Sequence, residues 1–314
     1  MNGGDSGRTL AEVLEVLESA YPLRWAEDWD RPGLVVGDRR DPAHSVDRVH
    51  LAVDPTVAVV REARAAGAQL LVTHHPLLLR GASFLASDTG KGAVVTELVR
   101  AGMSLWCGHT NVDRSSLGTV GAWIRALGLE DVRPLAAGPT DGETAQAAHG
   151  SELIGLGVVG SLGEAGTEDA STVASLADRI AALVPATAQG VRFTGDPQRR
   201  VRRAAVCPGA GDSLLETAAA SGADVFITSD LRHHPALEHL ESAADEGAVP
   251  ALIDVAHAAS EALWLPLARE LLAAALPGIA VSISELSTDP WTGRAGPAVP
   301  DAPSARGAST GRAH

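Results

Sequence analysis

The chain is short of cysteine, of aromatic side chains and of positive charge, and each shortage excludes a class of protein. Only two cysteines, Cys107 and Cys207, occur among 314 residues, so a disulfide framework is excluded and buried free thiols are expected. The formal net charge is −14, which opposes the extended basic surface that nucleic-acid binding needs. Aromatic residues make up 3% of the chain and apolar residues 45%, so aliphatic side chains must fill the core.

Long apolar segments are absent as well. No apolar run approaches the roughly 18 residues that a membrane helix needs. Residues 1–9 lack the apolar stretch of a secretory signal peptide. We therefore expect a soluble, cytoplasmic protein that binds no membrane, with a length suited to two ordinary domains or one large one.

The chain contains an internal repeat of a strand, a helix and a second strand. Residues 67–73 are matched by residues 222–228, which lie 155 positions later. Further strands are predicted at 103–107 and 251–255, and each is followed by a histidine and then by an acid four residues on. We therefore predict an α/β fold of two homologous halves with mixed sheets, whose strand ends converge on a shared cleft.

The composition changes along the chain predict where these halves begin and end. The first half spans 1–134 and the second spans 153–288. A linker rich in alanine, glycine and threonine lies between them at 135–152. Residues 289–314 have little apolar content, which is typical of a disordered tail.

Two adjacent histidines, His74 and His75, follow the buried strand predicted at 70–73. Loops beyond the carboxyl ends of such strands are where α/β proteins build their sites. Imidazole is the commonest metal ligand and also a common general base. Consecutive side chains point in different directions, so the pair suits two neighbouring metals better than one. For the pair alone, an ordinary turn with hydrogen-bonded histidines remains the alternative.

The two later strand ends add carboxylates to these imidazoles. His257 and Glu261 are spaced i, i+4 on a predicted helix, and His109 and Asp113 repeat that spacing in the first half. Mixed nitrogen and oxygen ligands favour zinc, iron or manganese over calcium or magnesium. A carboxylate such as Glu261 can bridge two ions, and two metals roughly 3.5–4 Å apart can activate a water and clamp a leaving oxygen.

A second histidine pair, His233 and His234, begins a predicted helix in the second half. We interpret these side chains as groups on the substrate side of the site and as candidates for a general acid or base. A purely structural role is the alternative.

The run 155–160 satisfies the G-x-G-x-x-G pattern of dinucleotide-binding folds. That fingerprint requires a helix to open within it. The glycine-rich continuation here cannot open a helix well, so we predict a strand followed by a loop and no bound nucleotide cofactor.

Taken together and in this order, the motifs resemble those of the GTP cyclohydrolase 1 type 2 homologue family, also described as dinuclear metal centre, hexameric proteins. They are W-D-x-x-G-L at 29–34, T-H-H-P at 73–76, H-T-N-x-D at 109–113, S-D-L-R-H-H at 229–234 and D-x-x-H-x-x-x-E at 254–261. The resemblance covers roughly residues 10–286.

The resemblance implies two divalent metal cations per subunit, zinc, iron or manganese, with Glu261 shared between them. The implied ligands are His74, His75, Asp113, His257 and Glu261. His75 and Asp113 would hold one metal, and His74 and His257 the other. His109 would be a near neighbour of the site rather than a ligand.

The family resemblance also implies a homohexameric ring whose sites open toward an interior cavity. Some residues depart from the family pattern. Arg31 stands where the family usually has asparagine, and Ala258 replaces a tyrosine beside His257, which removes a hydroxyl near the metals. The middle of the chain, about 153–200, is too short for the inserted domain of longer members, so a compact form is expected.

These expectations lead to one main functional hypothesis and one rival. The main hypothesis is a dinuclear metal-dependent hydrolase of a small nucleotide-like or heterocyclic substrate, with His233 or His234 moving protons. The rival is a non-catalytic, metal-binding hexameric scaffold or regulator. A ring threaded by nucleic acid is disfavoured by the net charge of −14.

Overall fold

Two mixed sheets with helices packed on them make up the described part of the chain. The computed structural model describes residues 7–137, 146–163, 171–243 and 246–296. The strands are β1 (Arg8–Thr9), β2 (Gly33–Val36), β3 (Ser45–Val46), β4 (Arg48–Ala52), β5 (Leu70–Thr73), β6 (Ser104–Cys107), β7 (Leu129–Ala136), β8 (Leu156–Leu162), β9 (Arg192–Phe193), β10 (Arg203–Ala210), β11 (Val225–Ser229), β12 (Ala251–Asp254) and β13 (Ala280–Ile283).

Ten α-helices connect or follow these strands within the described residues. They are α1 (Leu10–Ala20), α2 (Val57–Ala65), α3 (Gly90–Ala101), α4 (Thr110–Asp113), α5 (Thr119–Leu127), α6 (Val173–Leu183), α7 (Leu215–Ala220), α8 (His233–Glu241), α9 (His257–Ala262) and α10 (Trp264–Ala275). Helix α1 begins with a capping box between Thr9 and Glu12, which satisfies backbone donors that the first turn leaves unpaired.

The first sheet has the strand order β13-β4-β5-β6-β2. Strands β13, β4, β5 and β6 run parallel, whereas β2 pairs antiparallel with β6. Both β5 and β6 are buried along their full length, as expected for central parallel strands that helices cover. Strands β1 and β3 form a separate two-stranded sheet.

The second sheet has the order β7-β8-β10-β11-β12-β9. Strands β10, β11 and β12 run parallel, and the outer strands pair antiparallel with their neighbours. The trio β10-β11-β12 therefore repeats the trio β4-β5-β6. This confirms the predicted α/β class with two repeated halves and mixed sheets.

Sheet membership divides the chain differently from the sequence-based boundaries. Most of strand β7 falls in the predicted first half, yet β7 belongs to the second sheet. Strand β13 falls in the predicted second half, yet it belongs to the first sheet. Each sheet thus takes a strand from across the predicted division. The predicted linker and the predicted tail fall partly outside the described residues, at 138–145 and 297–314.

The helix that carries His257 and Glu261 is anchored by two buried tryptophans. Trp123 in α5 donates a hydrogen bond of 3.0 Å to the carbonyl of Ser260 in α9. Trp264 begins α10 and donates one of 3.1 Å to the hydroxyl of Tyr21. A buried tryptophan with its N–H paired contributes a large apolar area without leaving a polar atom unsatisfied. The few aromatics of the chain thus fix one wall of the cleft.

Both cysteines are free and buried, which confirms the expectation of buried thiols. Residues 156–160 of the glycine-containing run lie in β8, so the strand predicted there is confirmed. Within the described ranges, no helix is both long enough and apolar enough to span a membrane.

Candidate metal centre

Four histidines that follow strands of both sheets lie close together. His74 and His75 follow β5, His109 follows β6, and His257 begins α9 just after β12. The ring centroids of His74 and His75 are 5.2 Å apart, those of His75 and His257 are 5.0 Å apart, and those of His74 and His109 are 5.3 Å apart. The convergence of strand ends predicted from the repeat therefore brings these imidazoles into one cluster.

His74 lies in the middle of this cluster and is fully buried. Its Nε2 atom is 3.3 Å from Oε1 of Glu261 and 3.5 Å from Oδ1 of Asp113. Neither ring nitrogen has a hydrogen-bond partner among the described residues, and Oε2 of Glu261 accepts no hydrogen bond, although it is 3.0 Å from Nε2 of His75. Buried polar atoms without partners are costly, so this arrangement of donors suits a bound cation.

Each of the other three imidazoles has a carboxylate on its Nδ1 atom. The pairs are His75 with Asp54 at 2.7 Å, His257 with Asp230 at 2.7 Å, and His109 with Asp30 at 2.9 Å. A carboxylate on Nδ1 fixes the proton there and leaves the Nε2 lone pair free. Metal-ligating histidines are held in this way.

Hydroxyl and amide donors hold two of the site's carboxylates in place. Asp30 accepts hydrogen bonds from the backbone N–H of Thr110 at 2.9 Å and from its hydroxyl at 2.6 Å. Burial alone would raise the pKa of Asp30, but its bonds to His109 and Thr110 lower the pKa to about 2. Asp113 accepts a bond of 2.6 Å from the hydroxyl of Thr119. Both side chains are therefore oriented before any ligand binds.

The carboxylates also change how the histidines titrate. Burial alone would lower the pKa of His75, but Glu261 and Asp54 raise it to about 11. Burial opposes the charged form of His257 too, yet Asp230 and Glu261 raise its pKa to about 10. The pKa of Glu261 lies well below its usual value despite burial, because of the histidine charges around it. The cluster thus attracts positive charge strongly, whether protons or metal cations supply it.

A glycine at the end of β10 makes room for this cluster. Gly209 has a φ of +71°, and a Cβ atom added to it would lie 2.5 Å from Oε1 of Glu261 and 3.3 Å from Nε2 of His257. The pairing of β10 with β11 shifts register between Val206 and Ala210. This irregularity brings the backbone close to the ligand atoms, which only glycine allows.

The spacing of the donor atoms fits divalent cations. In two overlapping sets the donor atoms lie within 4.8 Å of one another: His74, His75 and His109, and His75, His257 and Glu261. The Nε2 atoms of His75 and His257 are 3.2 Å apart, and Nε2 of His257 is 2.9 Å from Oε1 of Glu261. Tetrahedral ligands at zinc distances of 2.0–2.1 Å are about 3.3 Å apart, so these side chains could hold such an ion with small adjustments.

The distances group the ligands differently from the partition that the family resemblance implied. Among the five implied ligands, Asp113 lies near His74 rather than His75, and His257 lies next to His75 rather than His74. His75 belongs to both donor sets, whereas His74 belongs to the set with His109 and His257 to the set with Glu261. His109 was expected only as a neighbour, yet its donor atom belongs to the same set as those of His74 and His75.

The second histidine pair lies away from this cluster. His233 and His234 begin α8, as predicted, and their ring centroids are 5.1 Å apart. His233 lines a cavity of about 390 Å³ together with Phe193 and Asp254, and no residue of the four-histidine cluster lines that cavity. A different cavity, of about 210 Å³, opens onto His75 and His257. A proton-transfer role for the second pair stays a prediction.

Several residues of the site were not predicted from the sequence. Asp54 and Asp230 each come just after a strand, β4 and β11, which is the signal that could have identified them. Asp30 lies in the W-D-x-x-G-L motif. Its neighbour Trp29 is 55% exposed, and the ring of Trp29 lies edge-on to that of His109 at 5.8 Å.

Comparison with known proteins identifies relatives over almost the whole chain. A family model described as Duf34/NIF3 (NGG1p interacting factor 3) matches residues 8–290. A Streptomyces coelicolor protein named GTP cyclohydrolase 1 type 2 homolog is 43% identical over 90% of this chain and 93% of its own. A Mycobacterium bovis protein of the same name is 35% identical over 90% of this chain and 96% of its own.

Solved structures show the same fold. A Bacillus cereus protein related to NIF3 has a TM-score of 0.76 at 20% identity and covers 91% of this chain and 99% of its own. A Staphylococcus aureus hypothetical protein has a TM-score of 0.74 at 25% identity over the same shares of the two chains. The resemblance inferred from the motifs is thus confirmed, and the chain belongs to the Duf34/NIF3 family.

Proposed function

We propose that the protein binds two divalent cations in this cluster and hydrolyses a small nucleotide-like or heterocyclic molecule. The observation that carries the proposal is His74, which is fully buried with two unpartnered ring nitrogens beside Glu261 and Asp113. A side chain placed in this way is costly unless a cation binds it. The relatives named GTP cyclohydrolase 1 type 2 homolog support the hydrolytic reading.

The side chains of the cluster have two roles: some would hold the metal cations, and others orient the histidines. His74, His75, His257, Glu261, Asp113 and His109 would hold zinc, iron or manganese. Such cations, when bound, activate water and polarise the bond to be cleaved. Asp54 and Asp230 keep the Nδ1 protons in place, so that Nε2 of His75 and of His257 faces the centre. Glu261 lies between the imidazoles: its Oε1 atom is 3.3 Å from Nε2 of His74 and 2.9 Å from Nε2 of His257, and its Oε2 atom is 3.0 Å from Nε2 of His75, which suits a shared ligand.

The substrate would enter the cavity of about 210 Å³ over His75 and His257. Among its lining groups, Asp230 is a carboxylate that a substrate could reach, since its side chain is 59% exposed. His233 and His234 remain proposed proton carriers, although His233 lines the other cavity. A substrate long enough to reach both cavities would be required for that role.

The test is turnover of the metal-loaded protein together with the Glu261→Gln variant. We expect the zinc-, iron- or manganese-loaded protein to hydrolyse at least one member of a panel of nucleotides, nucleobases and phosphoesters. Glu261→Gln should lower that rate by about a hundredfold or more, because it weakens the shared ligand. The control is Glu270→Gln, since Glu270 lies on the surface and pairs with Arg125. Circular dichroism and metal analysis accompany both variants.

The rival function, a metal-binding scaffold, predicts a different result. A scaffold would bind metal stoichiometrically and hydrolyse nothing in the panel, and Glu261→Gln would disturb assembly or thermal stability instead. Light scattering measures that assembly. The homohexameric ring and the cytoplasmic location implied earlier stay proposals, and the mass of the purified protein in solution decides the first of them.

A further inference from the structure

A short C-terminal segment, 288–291, closes the cavity over the metal centre. The cavity is lined by Asp54, His75 and His257 and also by Asp289 and Trp291 of this segment. The segment follows β13 and has no regular secondary structure. It therefore forms the wall that a molecule bound over the two histidines would touch.

This wall is connected to the metal centre by hydrogen bonds. The hydroxyl of Thr288 donates to Oδ2 of Asp54. The other oxygen of Asp54 is 2.7 Å from Nδ1 of His75. The position of the wall is thus fixed relative to a candidate metal ligand through one shared carboxylate.

Asp289 supplies a hydrogen-bond acceptor with no partner of its own. Its Oδ1 atom accepts a bond of 2.9 Å from the backbone N–H of Trp291. Its Oδ2 atom is buried and has no partner among the described residues. A carboxylate only accepts hydrogen bonds when it is ionised, so a bound molecule would have to offer a donor to this oxygen.

Trp291 supplies a flat apolar surface on the same wall. Its side chain is 66% exposed although it lines the cavity. The tryptophan ring is large and flat, and planar ligands stack well on its face. The described lining of the cavity contains no lysine or arginine, whereas Asp54, Asp230 and Asp289 are acidic. Within the segment itself Asp289 is the charged residue, so a neutral ring fits against this wall better than an anionic group does.

We propose that residues 288–291 form the recognition wall of the site and select a planar heterocycle with a ring N–H donor. Trp291 stacks on the face of the ring, and a turn of the Asp289 side chain exposes the buried Oδ2 atom, which accepts the N–H at the ring edge. The identification of this ligand with a substrate rests on the proposed function. Binding itself does not depend on turnover.

The experiment measures binding of two small probes to the full-length, zinc-loaded protein by ligand-observed NMR. Benzimidazole offers a ring N–H, and 1-methylbenzimidazole is the same ring with that donor removed. Both keep the second ring nitrogen, so any contact with the zinc is common to the pair. We expect the protein to prefer benzimidazole by about tenfold, as is typical for a hydrogen bond to a charged group.

Two substitutions separate the two contacts. Trp291→Ala should weaken both probes by about fivefold or more, because it removes the stacking surface, and Trp291→Phe should restore most of that affinity. Asp289→Asn should abolish the preference for benzimidazole, since it replaces the charged acceptor by a neutral amide that also carries N–H donors. Phe84→Ala is the control for the first change, because Phe84 is an exposed aromatic that does not line this cavity.

Asp41→Asn is the control for the second change. Asp41 accepts a bond of 2.9 Å from the N–H two residues ahead, as Asp289 does, but elsewhere on the surface. Unchanged affinities in Trp291→Ala, or an unchanged preference in Asp289→Asn, would overturn the proposal. If the protein prefers benzimidazole and the variants behave as expected, but no compound of the substrate panel is hydrolysed, only the proposed function is wrong. If a compound is hydrolysed but the preference for benzimidazole is absent, only the proposal for residues 288–291 is wrong.

Discussion

The two halves of the molecule use the same three parallel strands but place different side chains at the strand ends. Positions 155 residues apart show the difference directly: Asp54 corresponds to Gly209, and His75 corresponds to Asp230. In the first half, an aspartate after β4 holds a histidine after β5. In the second half, an aspartate after β11 holds a histidine after β12. The same carboxylate–imidazole pair is thus built one strand further along.

This shift explains how the cleft combines two similar carboxylate–imidazole pairs, one from each half, with the carboxylate of Glu261, which comes from the second half alone. Moving the pair by one strand leaves the end of β10 free of a carboxylate. Gly209 occupies that place, and Glu261 fills the space above it. The first half therefore contributes mostly nitrogen donors, and the second contributes the oxygen donor that lies between them.

The largest effect is expected from removing the space that Gly209 provides. Gly209→Ala places a Cβ atom 2.5 Å from Oε1 of Glu261, so Glu261 must move and the shared ligand is lost. We expect zinc affinity to fall by about a hundredfold or more, comparable with the upper end of losses at ligand-supporting residues. Isothermal titration calorimetry measures the affinity. An unchanged zinc affinity would show that the space beside Gly209 does not determine the position of Glu261.

Gly222→Ala is the matched control for that change. Gly222 has a φ of +75°, close to the +71° of Gly209, and an added Cβ would meet nothing within 4 Å. Both variants pay the strain of a left-handed backbone, about 1 kcal/mol, but only one of them touches the metal centre. Zinc affinity should therefore stay at the wild-type value in Gly222→Ala.

A smaller effect is expected from the two aspartates that the halves place differently. Asp54→Asn and Asp230→Asn each remove the charge behind one histidine, and such losses cost about 10–100-fold in metal affinity. The side chain of Asp54 is 27% exposed and that of Asp230 is 59% exposed, so water screens Asp230 more. We expect Asp54→Asn to be the more damaging. The reverse order would show that the second half dominates the site.

The smallest effect is the pH dependence of the metal-free protein, to which each half contributes one histidine. The pKa values of His75 and His257 are raised to about 11 and about 10, above the unfolded value near 6.5. Their stabilising contribution is therefore complete below about pH 6.5 and is lost as the pH rises toward 10–11. Melting in EDTA should show a fall of roughly 2–4 °C in Tm for each kcal/mol lost.

The two single variants assign that fall to the halves. Asp54→Asn should reduce the part due to His75, and Asp230→Asn the part due to His257. Zinc should remove the fall in the wild type, because ligation displaces the protons. Stability that increases between pH 7 and 10 in EDTA would contradict the carboxylate–imidazole pairing in both halves.

The main elements were predictable from the sequence because they follow short, regular patterns. The strand predicted at 70–73 and the histidines after it agree with β5, and the strand predicted at 103–107 agrees with β6 (Ser104–Cys107) to within one residue. The sheet partners were not predictable, since the pairing of β13 with β4 joins residues more than 200 positions apart. Local patterns carry no information about such contacts.

The same limit applies to the site. His74, His75, His257 and Glu261 stood out because imidazole and carboxylate at strand ends are unusual. Asp54 and Asp230 were missed because a lone aspartate after a strand is common in turns. Only the three-dimensional arrangement shows that each one faces an imidazole nitrogen.

The pairing of β13 with β4 has a consequence for how the protein is made. During synthesis β4 leaves the ribosome early, but its partner β13 is among the last described elements to emerge. Until then β4 exposes an unpaired edge, which is a hazard for aggregation. The first sheet can therefore be completed only after nearly the whole chain has been translated. A chain truncated before β13 would keep β4, β5, β6 and β2 but would leave the edge of β4 open.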